Sequence, residues 1–164
     1  MDMLNADFDF SQADPRHLFA FSRPPRREPF RAGDRLYRFT SLPSATFEGS
    51  ELFRSPWWYA QRTFNSVVRT ANRTGASVVD TARSRLAVSK EWNPTMEWLA
   101  IIELTKPAYG WVGPTRAQPL KHGDPSVILV GNYEQVYMPR LAGDGDGRSS
   151  PFAFVSYYGS MVWV

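Results

Sequence analysis

Asn132-Tyr133-Glu134-Gln135-Val136-Tyr137-Met138-Pro139-Arg140-Leu141 reads as a strand entered from Gly131 and closed by Pro139. Successive side chains of a strand point to opposite faces. The adjacent polar pair Glu134 and Gln135 is therefore divided between the two sides of whatever sheet this strand joins. Working outward, Ser126 to Val130 is a short apolar strand that reaches it through a turn at Gly131-Asn132. Tyr109-Gly110-Trp111-Val112-Gly113 is another strand, with glycines that permit close backbone or ligand approach. Met96 to Thr105 is a buried strand ending at Lys106-Pro107. Trp98, Ala100 and Ile102 take one face, and Leu99, Ile101 and Glu103 take the other. Pro114 to Pro125 reads as a polar loop. Leu141 to Ser150 reads as a flexible Gly/Asp loop, followed by a hairpin of Phe152 to Tyr158 and Ser160 to Val164 turning at Gly159.

Upstream, Asp34-Arg35-Leu36-Tyr37-Arg38-Phe39-Thr40 is a strand with Tyr37 and Phe39 on its core face and Arg38 opposite, beside Leu36. Arg38 either snorkels to solvent from a half-buried strand or grips an anion. Ser55-Pro56 has the form of a helix start, with Ser55 as N-cap and Pro56 at the first helical position. Ala60, Phe64, Val67, Val68 and Ala71 follow at helical spacing, predicting a helix from about Pro56 to Arg73 that breaks at Gly75. Ser77 starts a second helix that turns Val78, Val79, Ala82 and Leu86 inward and ends near Lys90. The pair carries Arg62, Arg69, Arg73, Arg83, Arg85 and Lys90 against Asp80 alone. That face is either solvated charge or a contact for an acidic partner.

Residues 1–33 form an extended N-terminal arm or linker. Arg23-Pro24-Pro25-Arg26-Arg27-Glu28-Pro29 excludes a helix interior or a central strand. Phe8, Phe10, Phe19 and Phe21 drape the arm over the remainder, residues 34–164.

The 164-residue chain is 43% hydrophobic and 21% charged, as expected of a soluble globular chain with one core. Aromatic residues reach 15%, more than such a core needs, so some line a cleft or an interface. The absence of Cys excludes disulfides and thiolate chemistry, and two His residues with no ligand-spaced motif point to no metal site. No apolar run is long enough for a membrane span, and the acidic, polar start does not read as a signal peptide. A net charge of +3 permits an anionic ligand without demanding nucleic acid.

An early strand with Tyr37-Arg38, then Ser55-Pro56-Trp57-Trp58, a helical pair, Gly-edged strands and a late polar pair before Pro139 together resemble the ADP-ribosyltransferase superfamily. The likeness is to small bacterial effector-toxin domains of the Arg–Ser–Glu type and covers roughly residues 35 to 141. It implies an α+β fold: a mixed, mainly antiparallel split β-sandwich with the helical pair packed on one side. It further implies that NAD is the substrate, with Tyr37 and Arg38 at its phosphates and Ser55 in the nicotinamide pocket. Trp57 and Trp58 would frame the nicotinamide, and Glu134 or Gln135 would act at the ribose. The family's second Glu falls at Gln135, while the carboxylate stands one residue earlier at Glu134. A bulge at Asn132-Tyr133 would re-aim Glu134; with Gln135 alone in the site, NAD hydrolysis or a non-catalytic binder follows.

The resulting expectation is an NAD-dependent ADP-ribosyltransferase domain that cleaves the nicotinamide–ribose bond and modifies a macromolecule, a protein before a nucleic acid. An NAD glycohydrolase and a non-catalytic interaction module using the basic helical face are the alternatives. The resemblance also implies a cognate immunity protein and a secreted effector acting in a target-cell cytoplasm; a cytoplasmic protein is the alternative location.

Overall fold

Two-faced burial of one strand sets the architecture. In the computed structural model, which describes residues 3–41, 55–141 and the backbone of 152–159, β2 (Arg35–Thr40) is buried on both sides. Leu36 enters one apolar cluster and Tyr37 and Phe39 enter another. The alternation predicted for this strand is present, and neither of its faces is a solvent face.

The chain begins with a turn of 3-10 helix at Phe10–Gln12, the short α1 (Pro15–Leu18) and β1 (Arg26–Phe30). After β2 come β3 (Trp57–Ala60), α2 (Gln61–Thr74) and α3 (Val78–Arg85). Then follow β4 (Trp98–Leu104), β5 (Ala108–Pro114), β6 (Gln118–Lys121), β7 (Asp124–Leu129), β8 (Glu134–Tyr137) and β9 (Phe152–Gly159). Seven strands run in the order β1-β5-β8-β3-β2-β4-β9, and β6 and β7 form a separate two-stranded ribbon. All of these pairs are antiparallel.

β3 belongs to both halves, pairing with β2 on one side and β8 on the other. Between the halves lies a core of Phe30, Leu36, Trp58, Ile102, Val112, Val136 and Met138. The helices cover the outer face of the β2–β4 half through Tyr37, Phe39, Tyr59, Val67, Ala82 and Leu99. This is the split sandwich with a helical pair on one side. Burying a side chain such as Leu36 or Ile102, both 0% exposed, is worth roughly 1.5–3 kcal/mol each.

The helix expected from Pro56 begins later, because residues 57–60 are a strand. Trp57, Trp58 and Tyr59 favour a pleated, half-buried surface, and here they find partners on both edges. Tyr37 lies opposite Tyr59, and Val136 lies opposite Trp58. Ser55 therefore does not cap a helix; its Oγ accepts a bond of 3.5 Å from the nearby Trp57 N–H. The end of α2 follows the expected chemistry, with Gly75 at φ 74 closing onto the Ala71 carbonyl. Ser77 caps α3 by accepting from the Asp80 N–H, and that helix ends at Arg85 rather than near Lys90.

The stretch 114–125 is not all loop. Its residues 118–121 pair with β7. Their side chains are largely polar and partly exposed, so no hydrophobic alternation marks them. The expected hairpin strand Ser160–Val164 and the loop 142–150 lie outside the described residues.

The N-terminal segment is extended only in part and adds structure to the sandwich. β1 is an edge strand on β5, a position compatible with Pro29. Asn5 Nδ2 donates to the carbonyls of Tyr109 and Pro139, each at 3.0 Å. Phe8, Phe10 and Phe21 pack with Trp111 and Tyr137 over the outer face of the β5–β8 half. Phe19 does not join them; it is 66% exposed.

Candidate active site

Arg38 stands on the Leu36 face of β2, toward the inter-sheet core. Its Nε donates to the Trp57 carbonyl at 2.7 Å and its Nη2 to the Ser55 carbonyl at 2.5 Å. The guanidinium lies 3.8 Å from the Trp58 ring centroid, a cation–π stack between neighbouring strands. Desolvation pulls its pKa down from the usual value, opposed by Tyr59. Arg38 thus ties β2 to the entry of β3 and supports the indole that follows.

The other proposed nucleotide contacts divide by parity. Trp58 faces inward with Arg38. Trp57 faces outward, among His17, Phe21 and Tyr137, with ring centroids 5.5, 5.5 and 5.0 Å away. Tyr37 also faces outward, stacked 4.8 Å from Phe64 of α2, and burial raises its pKa. Ser55 meets Arg38 through its backbone carbonyl. The structure therefore brings Arg38, Trp58 and the Ser55 backbone together and places Tyr37 and Trp57 on the far side of the sheet.

Glu134 and Gln135 divide in the same way. Val136 belongs to the inner core and Tyr137 to the outer aromatic cluster. Regular alternation puts Glu134 on the inner face and Gln135 on the outer one, where its Nε2 donates to the Ala20 carbonyl at 3.1 Å. The turn before β8 sets this register. Gly131 and Asn132 take φ of 66° and 78°. The Asn132 N–H donates to the Thr115 carbonyl, and the Thr115 N–H donates to that of Tyr133, each at 2.9 Å.

Glu134 is the centre of a charge quartet that is hard to see in the sequence. Its Oε2 accepts from Arg26 at 2.7 Å and lies 3.6 Å from Arg62. Glu28 lies 3.3 Å from Arg26 and 3.0 Å from Arg62. Two guanidiniums from β1 and α2 thus hold two carboxylates from β1 and β8. The available sequence signal was Arg26 and Glu28, two residues apart and hence on one face of an extended segment. Their meeting with Glu134 needs the β1-β5-β8 order.

Between α2 and the β7–β8 turn, next to this quartet, an open cleft of about 420 Å³ is lined by Arg62, Asn65, Arg69, Asn132, Tyr133 and Glu134 among others. The Tyr133 hydroxyl shares a short hydrogen bond of 2.5 Å with Thr70 Oγ1, and Arg85 lies 5.5 Å from its ring. The helical basic face is therefore partly committed. Arg62 is ion-paired, and Arg83 turns inward to the carbonyls of Val88, Asn93 and Pro94 at 3.0, 2.9 and 3.0 Å.

No family model matches the chain, and no curated protein matches it in sequence. Two solved structures match the chain. Rhs1-CT, in complex with the cognate immunity protein RhsI1, gives a TM-score of 0.51 at 11% identity over 82% of this chain and 80% of its own. Tne2, in complex with Tni2, gives 0.47 at 14% identity, covering 80% and 87%. At such identities the first likeness concerns the fold.

Proposed function

We propose that this chain is a toxin or effector domain that cleaves the nicotinamide–ribose bond of NAD and transfers ADP-ribose to a macromolecular target. The observation that carries the reading is that Glu134 shares the inner face of the sheet with Arg38 and Trp58, while Gln135 is turned outward. Departure of nicotinamide with the bonding electron pair leaves oxocarbenium character on the ribose. A carboxylate fixed beside that ribose stabilises the positive charge as it develops. Glu134 is fixed already, by Arg26 and Arg62, so it needs little reorganisation during reaction. An acceptor then adds to the same ribose carbon and gives up its proton. Trp58 is buried, 1% exposed, and Arg38 stacks on it and holds that indole and the start of β3 in place.

The shared fold with Rhs1-CT, a protein solved with its cognate immunity protein, supports an effector role and an immunity partner. Among the described residues no helix is long and apolar enough to cross a membrane.

NAD hydrolysis is the second reading. It uses the same cleavage beside Glu134, with water in place of the macromolecular acceptor. Incubating the protein with NAD labelled in the adenylate half, with and without target-cell extract, tests both. Transfer gives labelled macromolecules and free nicotinamide. Hydrolysis gives free ADP-ribose with or without extract. Intact NAD in both incubations refutes NAD cleavage.

A further inference from the structure

Two of the Arg38 nitrogens are committed to backbone carbonyls, so the two negative charges of a dinucleotide pyrophosphate call for a further cation. Resting on the NAD-cleaving reading, we infer that the cleft between α2 and the β7–β8 turn is the phosphate subsite, with Arg69 as its principal phosphate-binding residue.

Charge balance singles this residue out. Arg26, Arg62, Glu28 and Glu134 sum to zero, so the quartet attracts no anion as a whole. Arg69, by contrast, has no carboxylate within ion-pair distance among the described residues. It is seven residues beyond Arg62, two helical turns on the same face. Its Nη2 donates to Ser66 Oγ at 3.0 Å, and that hydroxyl donates to the Arg62 carbonyl at 3.0 Å. The Arg69 side chain is thus folded back by one turn toward Arg62 and the quartet.

The opposite wall is equally ordered. Asn132 sits in the left-handed region at φ 78° and lines the cleft. Tyr133 is held by Thr70 and stiffens that side. Glu134 occupies one rim. Guanidinium groups bind phosphate through charge-assisted, paired hydrogen bonds, and Asn65 and Asn132 can donate to the remaining oxygens. An anion seated at Arg69 would direct an attached ribose toward Glu134, the geometry that cleavage requires.

Titration calorimetry with inorganic pyrophosphate and with ADP-ribose tests this without any turnover. The parent should bind both, and Arg69→Gln should weaken each by roughly tenfold or more, the loss expected for one charged hydrogen bond. Arg73→Gln, on the same helix but outside the cleft, should bind like the parent. In NAD turnover Arg69→Gln should raise KM with kcat nearly unchanged. No binding by the parent would overturn the subsite, as would equal losses in the Arg69 and Arg73 variants, which mean a diffuse basic face. Binding that depends on Arg69, in a protein that leaves NAD intact, would establish the subsite and refute NAD cleavage separately.

Discussion

Replacing Arg38 with Met removes the guanidinium while keeping an unbranched chain of similar reach against Trp58. The change deletes two charge-assisted hydrogen bonds, to Trp57 O at 2.7 Å and Ser55 O at 2.5 Å, and the stack on Trp58 at 3.8 Å. Bonds to a charged group contribute about 1.5–3 kcal/mol each. Relief of the desolvation that lowers the Arg38 pKa works against that loss. The net destabilisation should be about 2–4 kcal/mol, or a fall in melting temperature of roughly 5–15 °C for a chain of this size. Arg38→Lys keeps the charge without the fork and should lose about half as much. Urea unfolding gives the number, with an unchanged slope showing that the same surface is exposed. A Met variant within about 0.5 kcal/mol of the parent would show that Arg38 does not tie β2 to β3.

Two other predictions concern how the site is framed. Gly131→Ala places a Cβ 2.7 Å from the Thr115 carbonyl at a φ of 66°, so it should cost about 1–3 kcal/mol by thermal or urea unfolding and disturb the register of Glu134. His17 is half-buried against Trp57 and Tyr137, and desolvation lowers its pKa from 6.5, with Asp14 acting to raise it and Arg16 to lower it. A histidine depressed in the folded state adds stability that is complete above its unfolded pKa and is lost as pH falls through the folded one. The melting temperature should therefore drop as pH is lowered below about 6.5, and His17→Phe should flatten that part of the profile.

The elements legible in the sequence are those whose local chemistry and burial agree. The β2 alternation, the Gly75 stop and the Ser77 cap are of this kind, because each is decided within a few residues. Ser55-Pro56 misled because a good helix start preceded three aromatic residues with sheet partners on both sides. Tertiary pairing outweighed the local signal there. β6 escaped notice because its side chains carry no apolar stripe. For the site, the separation of Glu134 from Gln135 follows from strand parity alone. Which of them shared the inner face with Val136 depended on the pairing of β8 through β3, a long-range fact. Glu28 and Arg26 were hidden because an arm judged by its prolines and arginines proved to be the edge strand that brings a second carboxylate to Glu134.

The most direct test is nicotinamide release from NAD by the parent, Glu134→Gln and Gln135→Ala, each first shown to be folded by circular dichroism. The parent should release nicotinamide, and Gln135→Ala should do so at a near-parental rate. Glu134→Gln should lose about a hundredfold or more, as for removal of one transition-state electrostatic contact. Parental release in Glu134→Gln with loss in Gln135→Ala would contradict this assignment and move the chemistry to the outer face.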